Sequence, residues 1–167
     1  MEILAMRRRN FISYLAASSA VILTMRSAFA NHGEIKKMTK DDSQWKEKLS
    51  DKQYDVLRDE GTERAFSSPL NDEKRKGVYA CAGCDLELFT SESKFDSGTG
   101  WPSFFKPIEG HVDTKKDYKI IFPRTEYHCA RCGGHQGHVF DDGPEPTGQR
   151  WCNNGVALTF IANMEAK

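Results

Sequence analysis

The spacing of the cysteines constrains this chain more than any other feature. Four of the five form two Cys-x-x-Cys pairs, Cys81 with Cys84 and Cys129 with Cys132, separated by 44 residues. Two thiols at that spacing reach one ion, and four thiolates at about 2.3 Å close a tetrahedral shell around Zn²⁺. The glycine inside or just after each pair, Gly83 or Gly133, lets the backbone turn so that its amides face the sulfurs. The gap is longer than in a zinc ribbon, so the ion would staple distant segments of one domain. Two disulfides and a redox-active pair of thioredoxin type are the competing readings. Neither pair opens a helix after a strand, which argues against the second. A closed four-thiolate shell leaves no position for substrate, so one structural zinc ion is expected and the chemistry must lie elsewhere.

The chain has 167 residues and three tryptophans, enough for one compact core and too short for two. Trp45, Leu49, Val56 and Leu57 recur at helical spacing, and Ser50 with Gln53 makes a capping box with Leu49 and Tyr54 as a hydrophobic staple. Two short helices meeting at Ser50 are predicted, the second ending near Gly61. From Gly77 the pattern changes to brief aromatic and β-branched runs between turns: 78–80, 86–89, 118–122, 127–128, 139–140 and 156–161. The expected fold is mainly β, an antiparallel core of two small barrel-like sheets with short N-terminal helices and a four-cysteine zinc site.

Residues 1–30 read as an export signal. Arg7-Arg8-Arg9 precede an apolar run from Phe11 to Met25, and Ala28-Phe29-Ala30 offers a small-x-small cleavage site. Arg8-Arg9-Asn10-Phe11-Ile12 resembles a twin-arginine signal, which predicts a periplasmic destination. A membrane anchor fits less well, because the run is short and carries Ser18, Ser19 and Thr24. Residues 31–41 are polar and expected to be a flexible linker, with the domain spanning 42–167. Cleavage removes four arginines and one glutamate, turning a net charge of zero into −3. No basic cluster interleaves with aromatics, so no nucleic acid partner is expected.

Cys152 is the unpaired fifth cysteine. On a strand, Arg150, Cys152 and Asn154 share one face, and a neighbouring cation lowers a thiol pKa from about 8.5 and makes it nucleophilic. His135 and His138 are suited to proton transfer near neutral pH, with Asp142 available to orient one of them; they also read as turn residues or a second metal pair. Gly98-Thr99-Gly100-Trp101-Pro102-Ser103 is a tight loop that presents Trp101 either to the core or as the wall of a pocket for a small apolar group.

These elements together resemble the methionine sulfoxide reductase B family. The resemblance runs from about Trp45 to Phe160 and includes Thr62-Glu63, both cysteine pairs, Gly100-Trp101-Pro102-Ser103-Phe104, Gly-His-Val-Phe-x-Asp-Gly-Pro at 137–144 and Arg150-x-Cys152-x-Asn154. It implies reduction of the R epimer of methionine sulfoxide, free or in oxidised proteins, with Cys152 as the nucleophile that becomes a sulfenic acid. His135 and His138 would bind and protonate the sulfoxide oxygen, with Asp142 and Arg150 around them, Asn154 as a positioning amide and Trp101 lining the methyl pocket. Cys81, Cys84, Cys129 and Cys132 would hold the zinc. Many members carry a resolving cysteine where this chain has Thr99, so an external thiol, a thioredoxin-like protein or a small molecule, would have to reduce the sulfenic acid. Trp151, Asn153 and Gly155 also depart from the residues the family prefers. A monomer is expected. The alternative from another class is a zinc-knuckle module that grips a peptide with the Trp101 loop and performs no catalysis.

Overall fold

The computed structural model describes residues 35–164, and the signal read over residues 1–30 lies outside them. Helices α1 (Asp42–Lys48) and α2 (Asp51–Asp59) meet where expected. The Ser50 hydroxyl accepts the Gln53 N–H and the Gln53 side chain accepts the Ser50 N–H, so local hydrogen bonds start α2. Asp41 and Gln44 build a second capping box on α1. Trp45, Val56 and Leu57 are buried. The described part of the expected linker lies along the domain: Ile35 and Met38 pack on the core, and Met38 N–H donates to Arg131 O at 2.7 Å.

Among the described residues nine strands follow: β1 (Gly77–Cys81), β2 (Glu87–Thr90), β3 (Lys94–Phe95), β4 (Ser103–Phe104), β5 (Val112–Asp117), β6 (Arg124–Cys129), β7 (His135–Phe140), β8 (Arg150–Asn153) and β9 (Leu158–Ala162). They form a three-stranded sheet, β2-β1-β9, and a six-stranded sheet, β3-β4-β8-β7-β6-β5, with antiparallel pairing throughout. One aromatic core joins them. Phe89 of the small sheet stacks on Phe104 of the large one with centroids 4.1 Å apart, Tyr79 meets Phe104 edge-on at 4.9 Å, and Tyr127 meets Trp151 edge-on at 5.0 Å.

Two predicted strands need correction. Residues 118–122 close the β5–β6 hairpin instead of forming a strand, because Asp117 and Arg124 are already paired at its end and Pro123 has no N–H for a ladder. The strand placed at 156–161 begins at Leu158. Residues Gly155–Ala157 make a 3₁₀ turn, because the Glu63 carboxylate accepts the N–H groups of Gly155 and Val156 at 2.5 and 3.1 Å.

Candidate active site and sulfur cluster

Strands β1 and β6 end in Cys81 and Cys129, so the two Cys-x-x-Cys turns meet where the small sheet abuts the large one. The four Sγ atoms lie within 4.8 Å of one another and all four residues are buried, with Cys81–Cys132 at 3.7 Å and Cys84–Cys129 at 3.4 Å. A disulfide requires about 2.05 Å, whereas sulfurs around a tetrahedral zinc stand about 3.8 Å apart. The donors therefore fit one metal ion and no disulfide. At the turns, Cys84 N–H donates to Cys81 O and Gly133 N–H to Cys129 O, and Gly133 takes φ 67°, a conformation glycine reaches without strain.

Cys152 lies on β8, with His138 of β7 and Ser103 of β4 as its cross-strand neighbours. It lines a pocket of about 130 Å³ with Trp101, His138, Phe140, Arg124, Thr62 and Asn154, well under the roughly 300–1,000 Å³ of sites for drug-sized ligands. Arg150 and the Thr99 hydroxyl face the thiol and favour its ionised form, yet burial outweighs them and the Cys152 pKa is raised. That reverses the expectation from Arg150 alone, since desolvation of a buried thiolate opposes the nearby cation.

The expected role of Asp142 is also corrected. Its carboxylate accepts both Nε and Nη2 of Arg150 at 2.8 Å, and the guanidinium lies 4.3 Å over the Phe140 ring. Asp142 orients Arg150. The group that holds a histidine is Asp117, whose Oδ2 stands 2.7 Å from His138 Nε2 and accepts Arg124 Nη2 at 2.7 Å. The Lys119 N–H, His138 and Arg124 hold the Asp117 carboxyl well below the usual carboxylate range. Burial pushes His138 down while Asp117 pulls it up.

The two histidines do not share the pocket. His135 is buried behind His138, ring centroids 5.5 Å apart, with Nδ1 2.9 Å from Glu126 Oε1. Asn154 lines the pocket, but its amide serves as a clamp: Oδ1 accepts the Glu63 N–H at 3.0 Å and Nδ2 donates to Gln136 O at 3.0 Å. Trp101 is fixed by donation from its indole N–H to Glu63 O at 3.1 Å. Gly100 takes φ 90°, and a Cβ there would meet Phe66 at 2.8 Å. Asp117, Arg124 and Phe140 escaped the sequence reading. Asp117 and Arg124 flank the apolar run 118–122, and taking that run for a strand hid that they pair with each other.

A family model described as the SelR domain matches residues 49–162. A protein named peptide methionine sulfoxide reductase MsrB from Methanosarcina barkeri is 51% identical over 133 residues, covering 79% of this chain and 94% of the relative. The chain belongs to the methionine sulfoxide reductase B family. The MsrB of Agrobacterium fabrum is 50% identical over 125 residues, 74% of this chain and 93% of that one. The chloroplastic B1 protein of Arabidopsis thaliana is 54% identical over 122 residues, 72% of this chain and 60% of that one.

Two departures from the family's preferences have local reasons. Asn153 is fully buried, and leaving its amide unpaired would cost about 1–3 kcal/mol; Tyr127 Oη donates to its Oδ1 at 2.7 Å and its Nδ2 donates to Asn154 O at 2.7 Å. A side chain at Gly155 would place Cβ 1.9 Å from Ser68 Oγ, so this chain has no room for one there.

If Asp117 positions His138, Asp117→Asn lowers kcat about tenfold, a fraction of what general acid–base catalysis contributes. The carboxylate favours the imidazolium, so its loss moves the His138 inflection in the pH–rate profile to lower pH. An unmoved inflection would mean that Asp117 acts only on the hairpin.

Proposed function

We propose that this protein reduces the R epimer of methionine sulfoxide to methionine, through a Cys152 sulfenic acid that an external thiol resolves. One observation carries the reading: a thiol, a carboxylate-held histidine and two aromatic rings line a pocket the size of one side-chain end. Trp101 and Phe140 suit the methyl group. Arg124, with a buried Nε that has no hydrogen-bond partner among the described residues, suits the sulfoxide oxygen.

With the Nε2 proton directed at Asp117, neutral His138 keeps Nδ1 as the acceptor. It takes the Cys152 proton as the sulfur attacks the sulfoxide, and returns it to the oxygen. The oxygen then moves to the Cys152 sulfur as Cys–SOH while the S–O bond of the substrate and the transient bond between the two sulfurs both break, and methionine leaves as the thioether with the electron pair. Two external thiols then restore the cysteine, releasing water and their own disulfide. Arg150, held by Asp142, favours the thiolate against burial. Cys81, Cys84, Cys129 and Cys132 would hold one Zn²⁺, which ties the two sheets together and leaves the chemistry to β8. The proposal includes export by the twin-arginine route, on the strength of Arg8-Arg9 and the Ala28-Phe29-Ala30 site.

The test is incubation with racemic methionine sulfoxide and dithiothreitol. Methionine should accumulate to half of the input and stop, with the S epimer left over. Binding without any methionine formed would favour a peptide-binding module instead. The missing internal thiol gives a second check. The Thr99 hydroxyl is near enough to Cys152 to favour its thiolate, on a loop where Ser97 Oγ meets Thr99 Oγ1 and Ser103 Oγ at 2.8 Å each. Thr99→Cys should trap a disulfide between position 99 and Cys152 after one turnover without reductant, seen as a two-hydrogen mass loss. The unmodified protein should instead gain one oxygen.

A further inference from the structure

We propose that the exposed end of the β5–β6 hairpin is a docking surface for unfolded polypeptide in which apolar residues flank the oxidised methionine. The inference rests on the functional reading above and extends it to the choice of substrate. A hairpin end is ordinarily polar, yet here Ile121 is 93% exposed, Phe122 77%, Tyr118 73% and Ile120 49%. An apolar cluster left in water marks a contact surface.

The end is anchored. Asp117 and Arg124 close its base at 2.7 Å, Asp117 Oδ1 accepts the Lys119 N–H at 2.9 Å, and the Lys119 ammonium pairs with Glu60 at 2.5 Å. The one charged side chain of the run is thus tied back to α2 while the four apolar ones face solvent.

The surface is continuous with the reactive pocket, because Arg124 both closes the hairpin and lines the pocket beside Cys152. At the Trp101 wall, Phe66 is 75% exposed. Its N–H donates to Gly100 O at 2.7 Å, and its φ of 63° is an outlier for a bulky residue, of the kind that concentrates at functional sites. Apolar side chains therefore stand beside both the Arg124 and the Trp101 walls. A chain delivering one side chain into the pocket can lay its neighbours on them. Folded proteins bury such apolar stretches, so the surface selects polypeptide that has lost or not yet reached its fold.

The experiment compares two peptides, one with methionine sulfoxide between leucine and valine residues and one with it between serines, alongside N-acetylmethionine sulfoxide, all with dithiothreitol as reductant. The protein should prefer the apolar peptide. Ile121→Ser/Phe122→Ser should lower kcat/KM for that peptide about tenfold, the scale of two partly buried side chains, and leave the serine peptide and N-acetylmethionine sulfoxide unchanged. Equal rates on the two peptides, or an equal loss on all three substrates, overturns the proposal. So does a dimer, seen by light scattering, that the double substitution splits, because the surface would then belong to a second copy. A loss seen only when thioredoxin replaces dithiothreitol overturns it as well, in favour of a reductant site. If the unsubstituted protein reduces none of the three substrates, the functional reading fails instead.

Discussion

Cys152→Ser is expected to bring methionine sulfoxide reduction down to the rate of dithiothreitol alone, on the order of 10⁴-fold or more, as for loss of a covalent nucleophile. A hydroxyl is a poor nucleophile toward sulfoxide sulfur and has no sulfenic acid state. The fold should survive, since the thiol is only half-buried and the strand is held by backbone pairs to β4 and β7, so circular dichroism should be unchanged. Geometry also sets the pH dependence. Burial raises the Cys152 pKa while Arg150 and the Thr99 hydroxyl draw it down, so alkylation of the free enzyme should rise above the ordinary thiol range. Arg150→Ala removes an opposing cation and moves that profile further toward alkaline pH. Undiminished turnover in Cys152→Ser would end the reading of this site; an Arg150→Ala profile displaced toward acid would end the account of its electrostatics.

What could be read from the sequence was local or chemically unusual. Ser50 and Gln53 announce α2 because both halves of a capping box lie within four residues, and the Cys-x-x-Cys turns carry their geometry in their spacing. Cys152 stood out as the thiol left over. What could not be read depends on which strands pair. The sequence Val112 to Asp117 is mostly charged and still forms β5, because its backbone pairs with β6 along its whole length. The more apolar run that follows stays in solvent. Asp142 sits four residues after His138 and looked like its partner; the closure of β5 on β6 brings Asp117 there, 21 residues away in sequence, and leaves Asp142 to Arg150. His135 and His138, three apart, would face opposite sides of a regular strand; a register shift at Tyr127/His128 between β6 and β7 accompanies their approach to 5.5 Å, with His135 buried against Glu126.

Removal of the metal proposed for Cys81, Cys84, Cys129 and Cys132 is expected to unfold the domain. Structural zinc contributes about 10–16 kcal/mol, as much as the roughly 5–15 kcal/mol by which a whole domain is stable, and here the ligands tie β1 of one sheet to β6 of the other. Without a cation, four buried sulfurs cannot all ionise, and the neighbouring sulfurs with burial push Cys81 far above the ordinary thiol range. The loss should reach the pocket before global unfolding. Gln136 Nε2 donates to Cys81 Sγ at 3.4 Å, its Oε1 accepts Asn153 Nδ2 at 3.4 Å, and its backbone O accepts both the N–H and the side-chain amide of Asn154. One residue thus joins the sulfur cluster to the two asparagines that follow Cys152. A chelator strong enough to strip zinc from purified protein should abolish the cooperative melt, and Cys129→Ser should give the same result without chelator. Gln136→Leu should retain the metal, measured by atomic absorption, while kcat falls severalfold as the Asn153 side chain beside Cys152 loses its Oε1 acceptor. A metal-free protein that melts cooperatively, with two disulfides by mass spectrometry, would show that the cluster is a pair of covalent crosslinks and that the path through Gln136 begins at a disulfide.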